Sequence, residues 1–285
     1  MVAHFIQECT KFSELYEGRF LEEAKQDCPD LETDPWDSLR FFLMYAFARQ
    51  GSSSDYSFAA IDTIKEFSGS PITSVDSNKV WLVFSNKLKN ESLNHKNNPM
   101  CPKNTEYEKI LKGKKITLKV NGFSIIEVIK HNLEDESLVT WFKNLLELDK
   151  VRQAYDMLKT VNGIGDKIAS FFLRDVAIIY NIAPKKDRAL LQPVDTWIRF
   201  AVHSLSKNNR LSDNECASFI VNNSSEPEKA NPGIWYFCAE IAGSSKFQVR
   251  LSMKNKDFMN SLTKQHLENL IRSSKAANKF IYIYK

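Results

Sequence analysis

Val161–Ser170 reads VNGIGDKIAS, with an apolar helical pattern through Tyr155 and Leu158 before it and FFLRDVAIIY directly after it. Two glycines flanking one isoleucine let the backbone turn sharply, so Gly163, Ile164 and Gly165 are expected to form a tight hairpin between two helices. Ile164 would anchor that hairpin in the core. A turn of this kind exposes consecutive amide N–H groups, which together with the N-terminus of the second helix suit a phosphate oxygen. Such a site grips a nucleic-acid backbone and reads no sequence. It is not a Walker loop, whose GxxxxGK[ST] spacing is absent.

Lys167 falls in the first turn of the second helix, beside the expected phosphate. As a cation it would be one more phosphate contact. As a neutral amine, which shielding from water and a helix N-terminus favour, it would attack an electrophilic sugar carbon. The next decisive segment is PVDTW, Pro193–Trp197, in which Asp195 stands where an N-cap for the helix WIRFAVHSL is expected. A carboxylate near a sugar also stabilises the positive charge that develops as a base departs. One side chain can serve both ends. The expectation is that Lys167 and Asp195 face each other across a cleft, separated by 195 − 167 = 28 residues.

Outward from the hairpin, the chain reads as mainly α. Asp34-Pro35-Trp36-Asp37 is a capping aspartate followed by a proline suited to the first helical position, and Leu39, Phe42, Leu43, Ala46 and Phe47 then recur at helical spacing. A polar loop, Arg49–Ser54, should follow. Further helices are expected over Tyr56–Phe67, Lys79–Leu88, Ile168–Tyr180, Asp195–Leu205, Asp213–Val221, Gly233–Ala242 and Lys256–Ile271. Leu138–Val161 is one amphipathic helix or two with a break near Asp149. Residues 89–107, rich in Asn, Lys and Pro, read as an exposed loop. Asn121-Gly122 sits between two β-branched runs and suits a hairpin turn, against the rival reading of a helix over Ser124–Asn132. The architecture this predicts is two helical subdomains: a central bundle over 35–182 carrying the hairpin, and a second formed by 1–34, an arm, with 183–285. A small β-hairpin insertion is compatible with it.

A formal charge of +4 and 43% hydrophobic residues describe a globular chain that permits phosphate contact without demanding it. The five cysteines are scattered, with no CxxC, and the five histidines show no HExxH. That spacing argues against a disulfide framework, a zinc knuckle, an iron–sulfur cluster or a side-chain metal site. The N-terminal sequence has no long apolar core, so no signal peptide is expected, and no stretch approaches a membrane span. An intracellular, reduced protein is the expectation.

VNGIGDKIAS, FFLRDVAIIY and PVDTWIRF, in that order, resemble the helix–hairpin–helix, Gly/Pro-rich loop and aspartate signature of the DNA glycosylase superfamily that includes endonuclease III and the 8-oxoguanine glycosylases. The likeness covers about residues 155–205, and KIASFFLRD is most similar to the compact microbial 8-oxoguanine enzymes. The lysine matched by Lys167 marks the bifunctional glycosylase/lyases, and the aspartate matched by Asp195 is near-universal. The resemblance therefore implies base-excision repair of damaged double-stranded DNA by a monomer, located with the DNA in cytoplasm or nucleus. It implies Lys167 and Asp195 as catalytic residues and Gly163, Ile164 and Gly165 as backbone contacts. Gln50 would be a wedge into the duplex or an ordinary loop residue. Phe171, four residues after Lys167, would lie against an extruded base or in the core, and Trp235 would line the pocket or pack a helix. No cofactor is implied, although the hairpin backbone leaves room for a monovalent cation. The chain departs from the pattern in its 28-residue interval, in lacking the four-cysteine cluster of endonuclease III and in showing no extended N-terminal β-domain. A glycosylase for an oxidised pyrimidine or alkylpurine, or a non-catalytic DNA-binding hairpin protein, are the competing readings.

Overall fold

The computed structural model describes residues 2–47, 55–90, 106–111, 114–119, 122–132, 137–161 and 163–277. It is mainly helical. In chain order the helices are α1 (Val2–Thr10), α2 (Ser13–Tyr16), α3 (Glu22–Asp27), α4 (Pro35–Ala46), α5 (Asp55–Lys65), α6 (Ser77–Asn90), α7 (Ile125–Asn132), α8 (Leu138–Glu147), α9 (Val151–Thr160), α10 (Asp166–Ile179), α11 (Thr196–Ser206), α12 (Asp213–Asn223), α13 (Pro227–Tyr236), α14 (Lys246–Lys254) and α15 (Lys256–Ala277). A two-stranded antiparallel hairpin, β1 (Glu106–Leu111) and β2 (Lys114–Lys119), is inserted between α6 and α7, with Glu106 opposite Lys119 and Lys109 opposite Ile116. Among the described residues no helix is long and apolar enough to cross a membrane.

The chain divides into two compact units, one of Ala24–Lys186 and one of Met1–Glu23 with Asp187–Lys285. In the first, α4 starts as its sequence dictates. The Asp34 carboxylate accepts the Trp36 amide at 2.9 Å, and Pro35 takes the first helical position. The buried face of α4 meets α8 and α10 around Phe172, whose ring touches Phe42 edge-on at 5.2 Å, Phe142 at 5.4 Å and Phe41 at 5.9 Å. Burying one such side chain contributes about 1.5–3 kcal/mol. A second cluster joins Phe47, Phe84 and Phe123 at 5.0–5.4 Å and ties α4 and α6 to the turn before α7.

The observed limits of this unit have identifiable causes. Upstream of α4, Cys28 and Leu31 are buried, and the Ser137 hydroxyl both donates to the Leu31 carbonyl and caps α8. Residues 24–34 therefore belong with the bundle rather than with the N-terminal arm. Asp149, at φ 60°, separates α8 from α9 and accepts the Lys185 and Lys186 amides at 2.6 and 3.2 Å. Those amides hold its carboxyl below the ordinary carboxylate range and extend the unit to Lys186.

Of the two readings of the stretch after Asn121-Gly122, the helix is the one present, as α7, and the hairpin is not. Asn121 lies outside the described residues, but Gly122–Ser124 form a 3₁₀ turn that leads straight into α7. Ile125, Ile126 and Ile129 are fully buried at helical spacing. That periodicity outweighs the β-branched composition, and the strands form upstream of it.

In the second unit the N-terminal arm packs against α13. Gly233 makes this possible, because a Cβ there would stand 2.0 Å from the Cys9 carbonyl oxygen. Phe237 sits between Phe5, edge-on at 5.6 Å, and Phe12, stacked at 5.9 Å. Cys9 and Cys238 are fully buried in this core, and burial pushes both thiols well above their ordinary range.

Candidate functional site

The helix–turn–helix expected from VNGIGDKIAS is present between α9 and α10. Gly163 adopts φ 85°, a backbone region that favours glycine. The Ile164 amide donates to the Val161 carbonyl at 3.1 Å, and the Val161 and Ile164 side chains, 2% and 5% exposed, plug the hairpin into the core. Gly165 is the N-cap of α10 in an extended conformation (φ −97°, ψ 178°) and offers no capping side chain. Nothing among the described residues lies within 4 Å of where its Cβ would be. Its glycine is thus required neither by backbone strain nor by internal packing, and the open space lies over an uncapped helix N-terminus. The first amides of a helix have no intrahelical partner, and their dipoles add up to partial positive charge at this end.

Asp166 brings a carboxylate into this turn, and the structure neutralises it. Tyr155 on α9 donates its hydroxyl to Asp166 Oδ1 at 2.7 Å, and Lys159 Nζ pairs with the same oxygen. The Lys159 bond, then the Tyr155 bond, hold the Asp166 carboxyl below its ordinary range. Burial and the Asp166 carboxylate push the Tyr155 phenol up. These bonds lock the end of α9 to the start of α10.

Lys167, half-buried in the first turn of α10, makes no hydrogen bond or ion pair among the described residues. It is more open to water than the shielded amine its sequence setting implied. One turn on, the Phe171 ring lies against Tyr45 at 5.6 Å, and the Arg174 guanidinium covers it at 4.4 Å. Arg174 and Asp175, 1% and 0% exposed, form a buried ion pair (Nε to Oδ1 2.8 Å), and Tyr45 donates to Asp175 Oδ2 at 3.0 Å. The face of α10 that carries Lys167 is therefore built on a charged network inside the helix bundle.

Asp195 belongs to the other unit. It caps α11, its Oδ1 accepting the Trp197 and Ile198 amides at 2.9 and 2.8 Å, while its Oδ2 has no partner among the described residues. The segment before it is braced from α13. Arg188 forks onto Glu228 at 2.9 and 2.5 Å, and Asn231 donates to the Pro193 carbonyl at 3.2 Å. The 28-residue interval is also explained. Lys167 has twelve more residues of α10 ahead of it, and the rest is a link through the Asp149 clip and the short turn Arg188–Leu191.

The hairpin thus gathers Gly163, Ile164, Gly165, Lys167 and Phe171 in one unit. Asp195 and Trp235 lie in the other, where Trp235 packs edge-on against Tyr16 at 6.1 Å and Phe20 at 5.7 Å. Gln50 lies outside the described residues. The Tyr155–Asp166–Lys159 lock and the Arg188–Glu228 brace escape sequence reading. The first leaves a faint signal, opposite charges on either side of a turn; the second joins residues forty apart and leaves none. No grouping of three His, Cys, Asp or Glu side chains able to hold a metal occurs among the described residues.

Comparison with known proteins adds little. No protein-family model and no solved structure matches the chain significantly. An uncharacterized protein of Methanocaldococcus jannaschii is 36% identical over 89 residues, 30% of this chain and 21% of that protein, so the chain spans about a fifth of the relative it matches.

Proposed function

We propose that the protein is a bifunctional DNA glycosylase/AP lyase of base-excision repair, acting on an oxidised base in duplex DNA, with 8-oxoguanine the favoured substrate. The observation that carries the reading is the amine of Lys167, without a hydrogen bond or ion pair among the described residues, in the first turn of α10 beside the N-terminus at Gly165. In this reading the hairpin amides hold a phosphate of the damaged strand, and Lys167 Nζ attacks C1′ of the lesion nucleotide. The base leaves with the electron pair of the glycosidic bond and takes a proton. The amine loses its own proton as the sugar ring opens to a Schiff base. β-Elimination then gives up a C2′ proton to water and expels the 3′ phosphate, and hydrolysis returns the lysine. The role of offsetting the positive charge that builds on the sugar falls to Asp195 on the resemblance alone. Phe171, fixed by Tyr45 and Arg174, offers a ring for the extruded base.

The test is borohydride trapping on duplexes carrying a panel of oxidised and alkylated bases. Wild-type protein is expected to cross-link to an oxidised-purine duplex, and Lys167→Gln to bind the same duplex without cross-linking. Binding without trapping on any lesion would sink the lyase reading, and nicking by Lys167→Gln at the wild-type rate would place the nucleophile elsewhere.

A further inference from the structure

Away from the hairpin, the helix α14 carries Lys246, Arg250 and Lys254 at four-residue spacing, all exposed, and no acidic residue. Lys246 Nζ and the Arg250 guanidinium lie 5.5 and 5.2 Å from the centroid of one ring, that of Phe200 on α11. Neither forms an ion pair among the described residues. Arg199, the residue before Phe200, is by contrast paired, forking onto Asp213 at 2.8 and 2.9 Å. Like charges four residues apart disfavour a helix, and here one aromatic ring gathers two of them with no carboxylate paired to either among the described residues. Phe247 stands beside both, one residue from Lys246 and three from Arg250. It is 73% exposed, while the opposite side of the helix, Val249 and Met253, is buried.

We propose that this face of α14 binds a single-stranded nucleic-acid segment, with Lys246 and Arg250 on neighbouring phosphates and Phe247 stacked on an unpaired base. A lone exposed phenylalanine is ordinary on any surface. One set among cations with no ion pair among the described residues matches the way single strands are held, by backbone charge neutralisation plus sequence-tolerant stacking. A duplex has phosphates for the cations and no free base for the ring, and a lipid surface rewards a broader apolar face than one side chain. The site needs no chemistry from Lys167 and lies in the other unit, so it stands or falls apart from the lyase reading.

The experiment is fluorescence anisotropy of a labelled oligothymidine 20-mer with the full chain between 50 and 200 mM NaCl. Removing two phosphate contacts in Lys246→Gln/Arg250→Gln should reduce the slope of log K against log salt by about 1.4. Phe247→Ala should weaken binding by roughly 5- to 150-fold, the range of one base–aromatic stack. Lys167→Gln should bind the strand as wild type does, and Arg250→Lys should restore most of the slope lost in Arg250→Gln. Unchanged far-ultraviolet circular dichroism and melting keep these comparisons meaningful. The inference is overturned by an unaltered slope in the double variant, by a silent Phe247→Ala, by equal losses on blunt duplex and single strand, or by variant-sensitive binding seen only with phosphatidylserine vesicles. Absent trapping alongside these α14 effects would remove the lyase reading alone.

Discussion

Replacing Asp175 by alanine should destabilise the Ala24–Lys186 unit more than any surface change near the hairpin. Arg174 is 1% exposed and its guanidinium meets Asp175 at 2.7 Å, so the alanine variant buries a cation whose closest carboxylate is gone. Breaking a buried pair from one side costs about 3–5 kcal/mol, because it strands a charge in the interior. The Tyr45 hydroxyl loses its acceptor at the same time. For a unit of this size about 2–4 °C of melting temperature goes with each kcal/mol, which gives a fall on the order of 6–20 °C in calorimetry. The decisive comparison is Arg174→Met/Asp175→Leu. Exchanging both charges for apolar groups of similar volume is often neutral or stabilising, so this double variant should melt near wild type. If its loss equals the sum of the two single losses, the charges are not acting as a buried pair and the reasoning fails. The same double variant strips the cation from the Phe171 ring, so a stable protein with weaker discrimination among lesions is the accompanying expectation.

Gly165→Ala should leave melting within about 1 kcal/mol of wild type, since its Cβ meets nothing and its φ of −97° suits alanine. It should still weaken duplex binding about tenfold, equivalent to one phosphate contact, in a filter-binding assay; unchanged affinity would remove the hairpin as a phosphate site. His266, which shares a 3.2 Å hydrogen bond with Tyr236, has its ordinary pKa lowered by burial. The unfolded chain therefore takes up this proton first as pH falls below about 6.5, and the unit containing α13 and α15 should lose stability from there downward. Melting between pH 7.5 and 5 checks this, and an identical slope in His266→Gln would assign the dependence to other groups.

The sequence is most readable where one local rule suffices. The Asp34-Pro35 start of α4, the Asp195 cap of α11 and the glycine hairpin each follow from a few adjacent residues. The choice between one helix and two over Leu138–Val161 is settled by Asp149, whose left-handed backbone is held by amides thirty-six and thirty-seven residues away. Asn121-Gly122 misleads for a related reason: turn chemistry is local, whereas the fully buried Ile125, Ile126 and Ile129 answer to the bundle around them. The site divides in the same way. Lys167 and Gly165 are legible as a motif, but the lock on Asp166 comes from α9 and the Tyr45 hydroxyl that joins the Arg174–Asp175 pair comes from α4, and no spacing within the motif announces either.

The seating of Gly233 against the Cys9 carbonyl has a consequence during synthesis. The arm is made before α13, its binding partner, which follows roughly 220 residues later, about 10–45 s at ordinary elongation rates. In that interval Ala24–Lys186 emerges whole and is free to fold, while the apolar positions Phe5, Ile6 and Cys9 wait uncovered. The arm's final docking closes a very long loop, so a nascent chain stalled before α13 is the form of this protein that most needs a chaperone.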